Sequence, residues 1–173
     1  MPINAYESLL TGGHPNSLGK TIEVVDHILQ DEKRLQQLYD CYQSPDAVVR
    51  LRVSSCMKRV CKVHPEWVAK YLDGLTTDIS TIDQASTKWT LSILFTLLDD
   101  YMSDAQRKAA ITVMKNNLHY DDWIVQNTTA ESLAYFAKKA PKLRAWLIPE
   151  LEALTKSRHK SVSRRAEKLL AIL

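Results

Sequence analysis

A chain of 173 residues that is 45% hydrophobic and 25% charged has enough material for one folded domain with a real core. Four glycines and six prolines are too few for the many tight turns of an all-β fold, whereas Leu, Ala, Lys, Gln and Glu suit helices. The net charge of +3 and pI of about 8.7 fall short of the strongly basic balance that nucleic-acid binding needs, although so small a total can conceal a local patch.

Residues 1–16 open with Met1-Pro2-Ile3-Asn4-Ala5-Tyr6-Glu7, which has no basic region followed by an apolar one. The expectation is an extended N-terminal segment and no secretory signal. The segment runs into Gly12-Gly13-His14-Pro15-Asn16-Ser17-Leu18-Gly19-Lys20-Thr21, which closes like a phosphate-binding Gly-Lys-Thr loop. That motif needs a glycine five residues before Gly19, where His14 stands, and a hydrophobic strand upstream, where Asn4-Ala5-Tyr6-Glu7-Ser8 offers none. The stretch is therefore expected to be a plain loop without a nucleotide cofactor.

One repeat domain is expected to fill residues 17–173, beginning with a capping helix near Ser17 to Gln30. Eight helices follow as alternating A and B members, the A helices covering Glu32 to Tyr42, Pro65 to Thr77, Ser103 to Leu118 and Lys142 to Lys156. Their ends are marked by His64-Pro65, by Ala140-Pro141 and by the capping-box spacing of Ser103 and Gln106; Ser44-Pro45-Asp46 marks the start of the first B helix. The apolar stretch Leu91 to Leu98 lies between Lys88 and Asp99 and is far shorter than the roughly 20 residues a membrane span requires.

The B helices reveal a repeat. Segments starting at residues 46, 83, 122 and 159 lie 37, 39 and 37 residues apart and superpose in one frame. Its fourth position is Val49, Ser86, Val125 and Val162; its eighth Val53, Thr90, Thr129 and Ala166; its twelfth Met57, Leu94, Leu133 and Leu170; its fifteenth Val60, Leu97, Phe136 and Leu173. Steps of four, four and three draw one helical stripe. Asp46, Asp83 and Asp122 stand where a carboxylate accepts from the orphan N–H groups of a helix start.

A helix pair with one apolar stripe cannot bury it alone, so pairs must stack. Units near 32–60, 65–101, 103–140 and 142–173 should form a right-handed α-α superhelix whose B helices line the inner face. Through Asp46-x-x-Val49-Arg50 followed by Val53 and Met57, with Val125 and Val162 in frame, residues 32–173 resemble the HEAT-repeat family. The resemblance implies an α-solenoid and a binding role; it is specific for architecture rather than activity. The second unit departs from it with Ser86 and Thr87, and the third with Gln126. The short unit also leaves armadillo-like and DNA-alkylation-repeat variants open.

Chemistry finds little support. The five histidines show no metal-ligand spacing, and no Gly-x-Ser-x-Gly elbow is present. Cys41, Cys56 and Cys61 are odd in number without C-x-x-C spacing, and read as buried thiols of a reducing, cytoplasmic compartment. DNA-alkylation-repeat glycosylases use aromatic side chains with an acid in their groove, which makes Trp89 and Trp123 candidates. The residues four further on are Ile93 and Asn127, so the acid is missing there. Trp67, Trp89, Trp123 and Trp146 are better read as packing residues between units.

If the stripe through Val53 and Met57 faces the core, the opposite ridge carries Ser55, Lys58 and Lys62; Lys88, Ser92, Phe95 and Asp99; Asn127, Glu131, Ala134 and Lys138; and Arg164, Lys168 and Ala171. Arg50, Arg52, Arg59 and Arg165 flank it. The ridge is basic at both ends and interrupted by acids between them, which favours an acidic protein over continuous tracking of a phosphate backbone. The expectation is a non-enzymatic scaffold without metal or cofactor, binding a protein through Arg52, Lys58, Lys62, Lys88, Trp89, Asn127, Glu131, Arg164, Arg165 and Lys168. Weak nucleic-acid binding, as by a glycosylase relative lacking its catalytic acid, is the alternative, and no membrane partner is expected.

Overall fold

Helix starts follow the local chemistry. In the computed structural model, which describes residues 5–173, Asp46 accepts from the Val48 N–H at 2.8 Å to begin α4 (Ala47–Val63). Asp122 accepts from Ile124 and Val125 to begin α9 (Trp123–Ala137). Ser103 and Gln106 form the reciprocal capping box of α8 (Asp104–Asn117). Pro65 and Pro141 open α5 (Pro65–Ala69) and α10 (Pro141–Leu154), where a missing N–H costs nothing. At α7 (Ala85–Leu97) the expected cap shifts by one residue. Gln84 takes the N-cap position without capping, because its amide oxygen accepts instead from Arg50 Nε at 2.8 Å, while its amide nitrogen donates to the Ala47 carbonyl and to Ser86 Oγ.

The remaining helices are α1 (Ala5–Leu10), α2 (Thr21–Ile28), α3 (Leu35–Asp40), α6 (Leu72–Thr77) and α11 (Lys160–Leu170), with short 3₁₀ turns between some of them. Among the described residues there is no strand. The first and second A helices are each broken into shorter pieces. The first comprises a 3₁₀ turn, α3 and a second 3₁₀ turn, and the other comprises α5 and α6.

Two rows of helices result. In the B row α2, α4, α7, α9 and α11 pack in that order, each against the next; α3, α5, α8 and α10 pack beside them, and α6 packs on α8. The sequence frame is realised in the packing. Val49, Val53, Met57, Val60, Leu94, Val125, Thr129 and Leu133 are fully buried, and Ser86, Thr90, Phe136, Val162 and Ala166 nearly so. At the far ends of α7 and α11, Leu98 and Leu169 are buried while the expected Leu97 and Leu170 stay half-exposed.

Side-chain bonds between successive helices of each row reach across the chain by close to the period of that frame. Arg50 to Gln84, Ser92 to Thr129, Asn127 to Ser161, Arg158 to Asp121 and Gln106 to Asp73 span 34, 37, 34, 37 and 33 residues. Each joins a helix, or the loop that leads into it, to a neighbour about one sequence period later.

The N-terminal segment departs from expectation. Residues 1–4 of the predicted extended stretch lie outside the described residues, but Ala5–Leu10 is helical, with Tyr6 and Leu10 buried. This α1 packs on α2, α3 and α4, and Tyr6 Oη lies 2.8 Å from His27 Nδ1. Two apolar residues four apart, Tyr6 and Leu10, are a single helical turn's worth of signal, too short to register as periodicity.

Candidate interaction surface

The exposed stripe of α4 agrees with the ridge: Ser55 and Lys58 are half-exposed and Lys62 is exposed, each three or four residues from the last. Arg52 does not belong to it. It is only 2% exposed, and its guanidinium is enclosed by the loop between α1 and α2. Nη1 donates to the carbonyls of Leu10 and Gly12 at 2.6 Å each and to Thr11 at 3.3 Å; Nη2 reaches His14 and Nε reaches Ser17, both at 3.3 Å. Gly12, Gly13 and Gly19 bend the loop with positive φ. The stretch with the Gly-Lys-Thr ending therefore turns its carbonyls inward onto a cation. A phosphate cradle needs the opposite polarity, with N–H groups converging.

In the central units the exposed strip is rotated. Ser92, Phe95, Asp99 and Ala134 were expected on the ridge, yet all four are buried. The cause is the close approach of α7 and α9 through small side chains: Ser92 and Thr129 hydroxyls meet at 3.0 Å, and Ser132 Oγ donates to the Ser92 carbonyl at 2.8 Å. A helix flanked on both sides keeps only a narrow free arc. On α7 that arc holds Trp89, Ile93 and Thr96, all half-exposed. Ile93 and Thr96 face Thr128 and Glu131 of α9 across a hollow of about 220 Å³.

The other expected contact residues are spread over this surface. Lys88 lies 5.0 Å from the centre of the Tyr120 ring, so its charge is partly engaged. Asn127 donates to Ser161, and Glu131 pairs with Arg165 across α9 and α11. Arg164 and Lys168 are exposed with no ion pair among the described residues. Trp67 stacks on His64 with centroids 3.9 Å apart, and Trp146 lies beneath Lys115. Trp123, expected to pack between units, is instead 47% exposed at the start of α9.

Asp99 forms a cluster that sequence reasoning missed. Arg107 Nε donates to Oδ1 at 2.7 Å, Tyr135 Oη donates to Oδ2 at 3.2 Å, and Lys139 Nζ lies 3.6 Å from Oδ2. Burial works to raise the Asp99 carboxyl, but the Arg107 hydrogen bond and charge, with Tyr135 and Lys139, outweigh it and hold the pKa below the ordinary aspartate value. The group ties the end of α7 to α8 and α9. Its partners come 8, 36 and 40 residues later, so no local pattern announces it.

All three cysteines are buried and unpaired, and burial pushes each thiol up to about 12. Among the described residues no cluster of three or more His, Cys, Asp and Glu is placed to hold a metal ion. Among the described residues no helix is long and apolar enough to cross a membrane.

No family model and no curated protein matches the chain. Among solved structures, two engineered proteins determined by a structural genomics consortium share its fold. One superposes with a TM-score of 0.66 at 16% identity, covering 96% of this chain and 78% of the other. The second gives 0.55 at 17% identity over 96% and 76%. Neither is described by a function, and at this identity the likeness concerns the fold alone.

Proposed function

We propose that the chain is a HEAT-type α-solenoid, a right-handed superhelix of helix pairs, acting as a non-enzymatic scaffold that binds a protein along its B-helix face. The observation that supports this reading is the side-by-side packing of α4, α7, α9 and α11, joined by side-chain bonds about one sequence period apart, with each helix keeping a partly exposed arc. Among these arcs lie a central hollow between α7 and α9 and, on α4 and α11, the cations Lys58, Lys62, Arg164 and Lys168, which form no ion pair among the described residues. Protein interfaces combine a partly apolar centre with a polar rim of this kind. The three buried free thiols suit a reducing, cytoplasmic setting.

The test is affinity capture with the wild type and with Lys58→Glu/Arg164→Glu, read by quantitative mass spectrometry. Proteins retained by the wild type and depleted by the double reversal support the reading. An identical set from both would sink it.

A second reading has one observation in its favour. Lys160, Arg164 and Lys168 follow one another at four-residue spacing on the exposed side of α11, a row of cations such as a phosphate backbone could meet. Duplex binding that persists at physiological salt and is lost on reversing all three would support it.

A further inference from the structure

The B-helix strip is not uniform. Of the six large hydrophobic side chains that stand exposed among the described residues, Leu18, Ile22 and Val63 border the cleft region where α2 and the loop before it meet α4. Two hollows adjoin there. One, of about 280 Å³, lies between Leu18, Leu51, Ser55 and Trp89; the other, of about 450 Å³, lies between Ile22, Val25, Asp26, Arg59 and Val63. Lys58 lines both, and Lys62 borders the second.

The charge of this region is unbalanced. Lys58, Arg59 and Lys62 make no ion pair among the described residues, and Arg59 Nε is enclosed without a hydrogen-bond partner. Asp26 is the one acid in the lining, and it too forms no ion pair. Half-burial and the neighbouring Lys62 and Arg59 charges push the Lys58 ammonium below the ordinary lysine value. An incoming carboxylate would relieve that mutual repulsion.

We propose that this two-hollow cleft between α2 and α4 is the anchor site for an acidic segment of a protein partner, whose bulky apolar side chains fill the hollows while its carboxylates meet Lys58, Arg59 and Lys62. The proposal rests on the binding-face reading above and names the chemistry of its partner. A peptide fits better than the other polyanions. Apolar residues that insert into a membrane must protrude, whereas here they line depressions. A nucleic-acid backbone calls for a row of cations rather than cations set among Leu18, Ile22 and Val63. Alternating apolar anchors and charges is how grooves recognise short peptide segments.

The test uses the full chain to select from a phage-displayed library of random 12-residue peptides, followed by fluorescence anisotropy on synthetic copies of the enriched sequences. The expected peptides carry Asp or Glu beside Leu, Phe, Ile or Trp. Their affinity should fall about tenfold or more in Lys58→Glu/Lys62→Glu and in Ile22→Asn. Circular dichroism and urea midpoints should stay unchanged, since all three side chains are at least partly exposed. Enrichment without acids, or affinity indifferent to these variants, overturns the proposal. If affinity is lost instead on Ile93→Asn or Arg165→Glu, the α2–α4 site falls while the binding-face reading stands; if no peptide is enriched, both fall. A 20-base-pair duplex or phosphatidylserine vesicles bound more tightly than any selected peptide would also overturn it.

Discussion

Gly19 lies directly against the guanidinium of Arg52: a Cβ placed on residue 19 would stand 2.8 Å from Arg52 Cζ and 3.0 Å from Nη1. A contact across 33 residues thus fixes both the identity of the glycine and the path of the loop. Gly19→Ala adds this clash to a φ of +50°, and should cost about 1–3 kcal/mol. Arg52→Ala strands carbonyls from Leu10 to Ser17 and should cost about 2–4 kcal/mol; Arg52→Lys should recover only part, having no planar fork. Lys20→Ala, next in sequence but exposed, should leave the urea midpoint within experimental error. Equal midpoints for all four variants would contradict the clamp.

Gly74 in α6 makes room for a tyrosine. A Cβ there would stand 2.1 Å from Tyr39 Oη. Alanine is ordinarily better than glycine inside a helix by about 1 kcal/mol, yet Gly74→Ala should destabilise by about 1–3 kcal/mol. Removing the hydroxyl in Tyr39→Phe/Gly74→Ala should restore stability above that of the single variant. A double-mutant cycle measured by urea unfolding checks this; simple additivity would count against it.

Met57 and Leu133 occupy the same repeat position on α4 and α9, and neither has any accessible surface. Truncation of either to alanine should destabilise by about 2–5 kcal/mol. A parent-like midpoint for either one would mean that the repeat frame is misplaced.

Asp99 should make stability depend on pH. Its pKa is lowered on folding, so the unfolded chain binds the proton more tightly; the stabilisation is full above the unfolded value of about 3.9 and lost as pH falls through the folded value. Asp99→Asn should therefore destabilise the fold near neutrality, and the gap to the wild type should narrow as the pH is lowered below the unfolded value. Urea titrations at pH 7, 5 and 3 read it directly. A gap independent of pH would show that the carboxylate charge is not what matters.

The helices, their stripe and several of their caps were legible in the residue order. Asp46, Asp122 and the Ser103–Gln106 pair act on N–H groups within three residues of themselves, and Val49, Val53 and Met57 share a face because each residue turns by 100°. The 37 to 39 residue period was equally visible, and it governs which units touch. Misjudged positions depend on partners a whole unit away. Ser92, Phe95 and Ala134 are buried because small residues let α7 and α9 close up, and Asp99 because Arg107, Tyr135 and Lys139 converge on it.

Arg52 marks the same boundary. On its own helix it sits where a partner-facing cation would, and only the path of residues 10–19 turns it into a buried clamp. Sequence alone determined an all-helical chain with a repeated apolar stripe, because hydrogen bonds and periodicity act within a few residues. Tertiary structure decided which polar side chains remain free for a partner, because that depends on how closely neighbouring helices approach and where a loop crosses them.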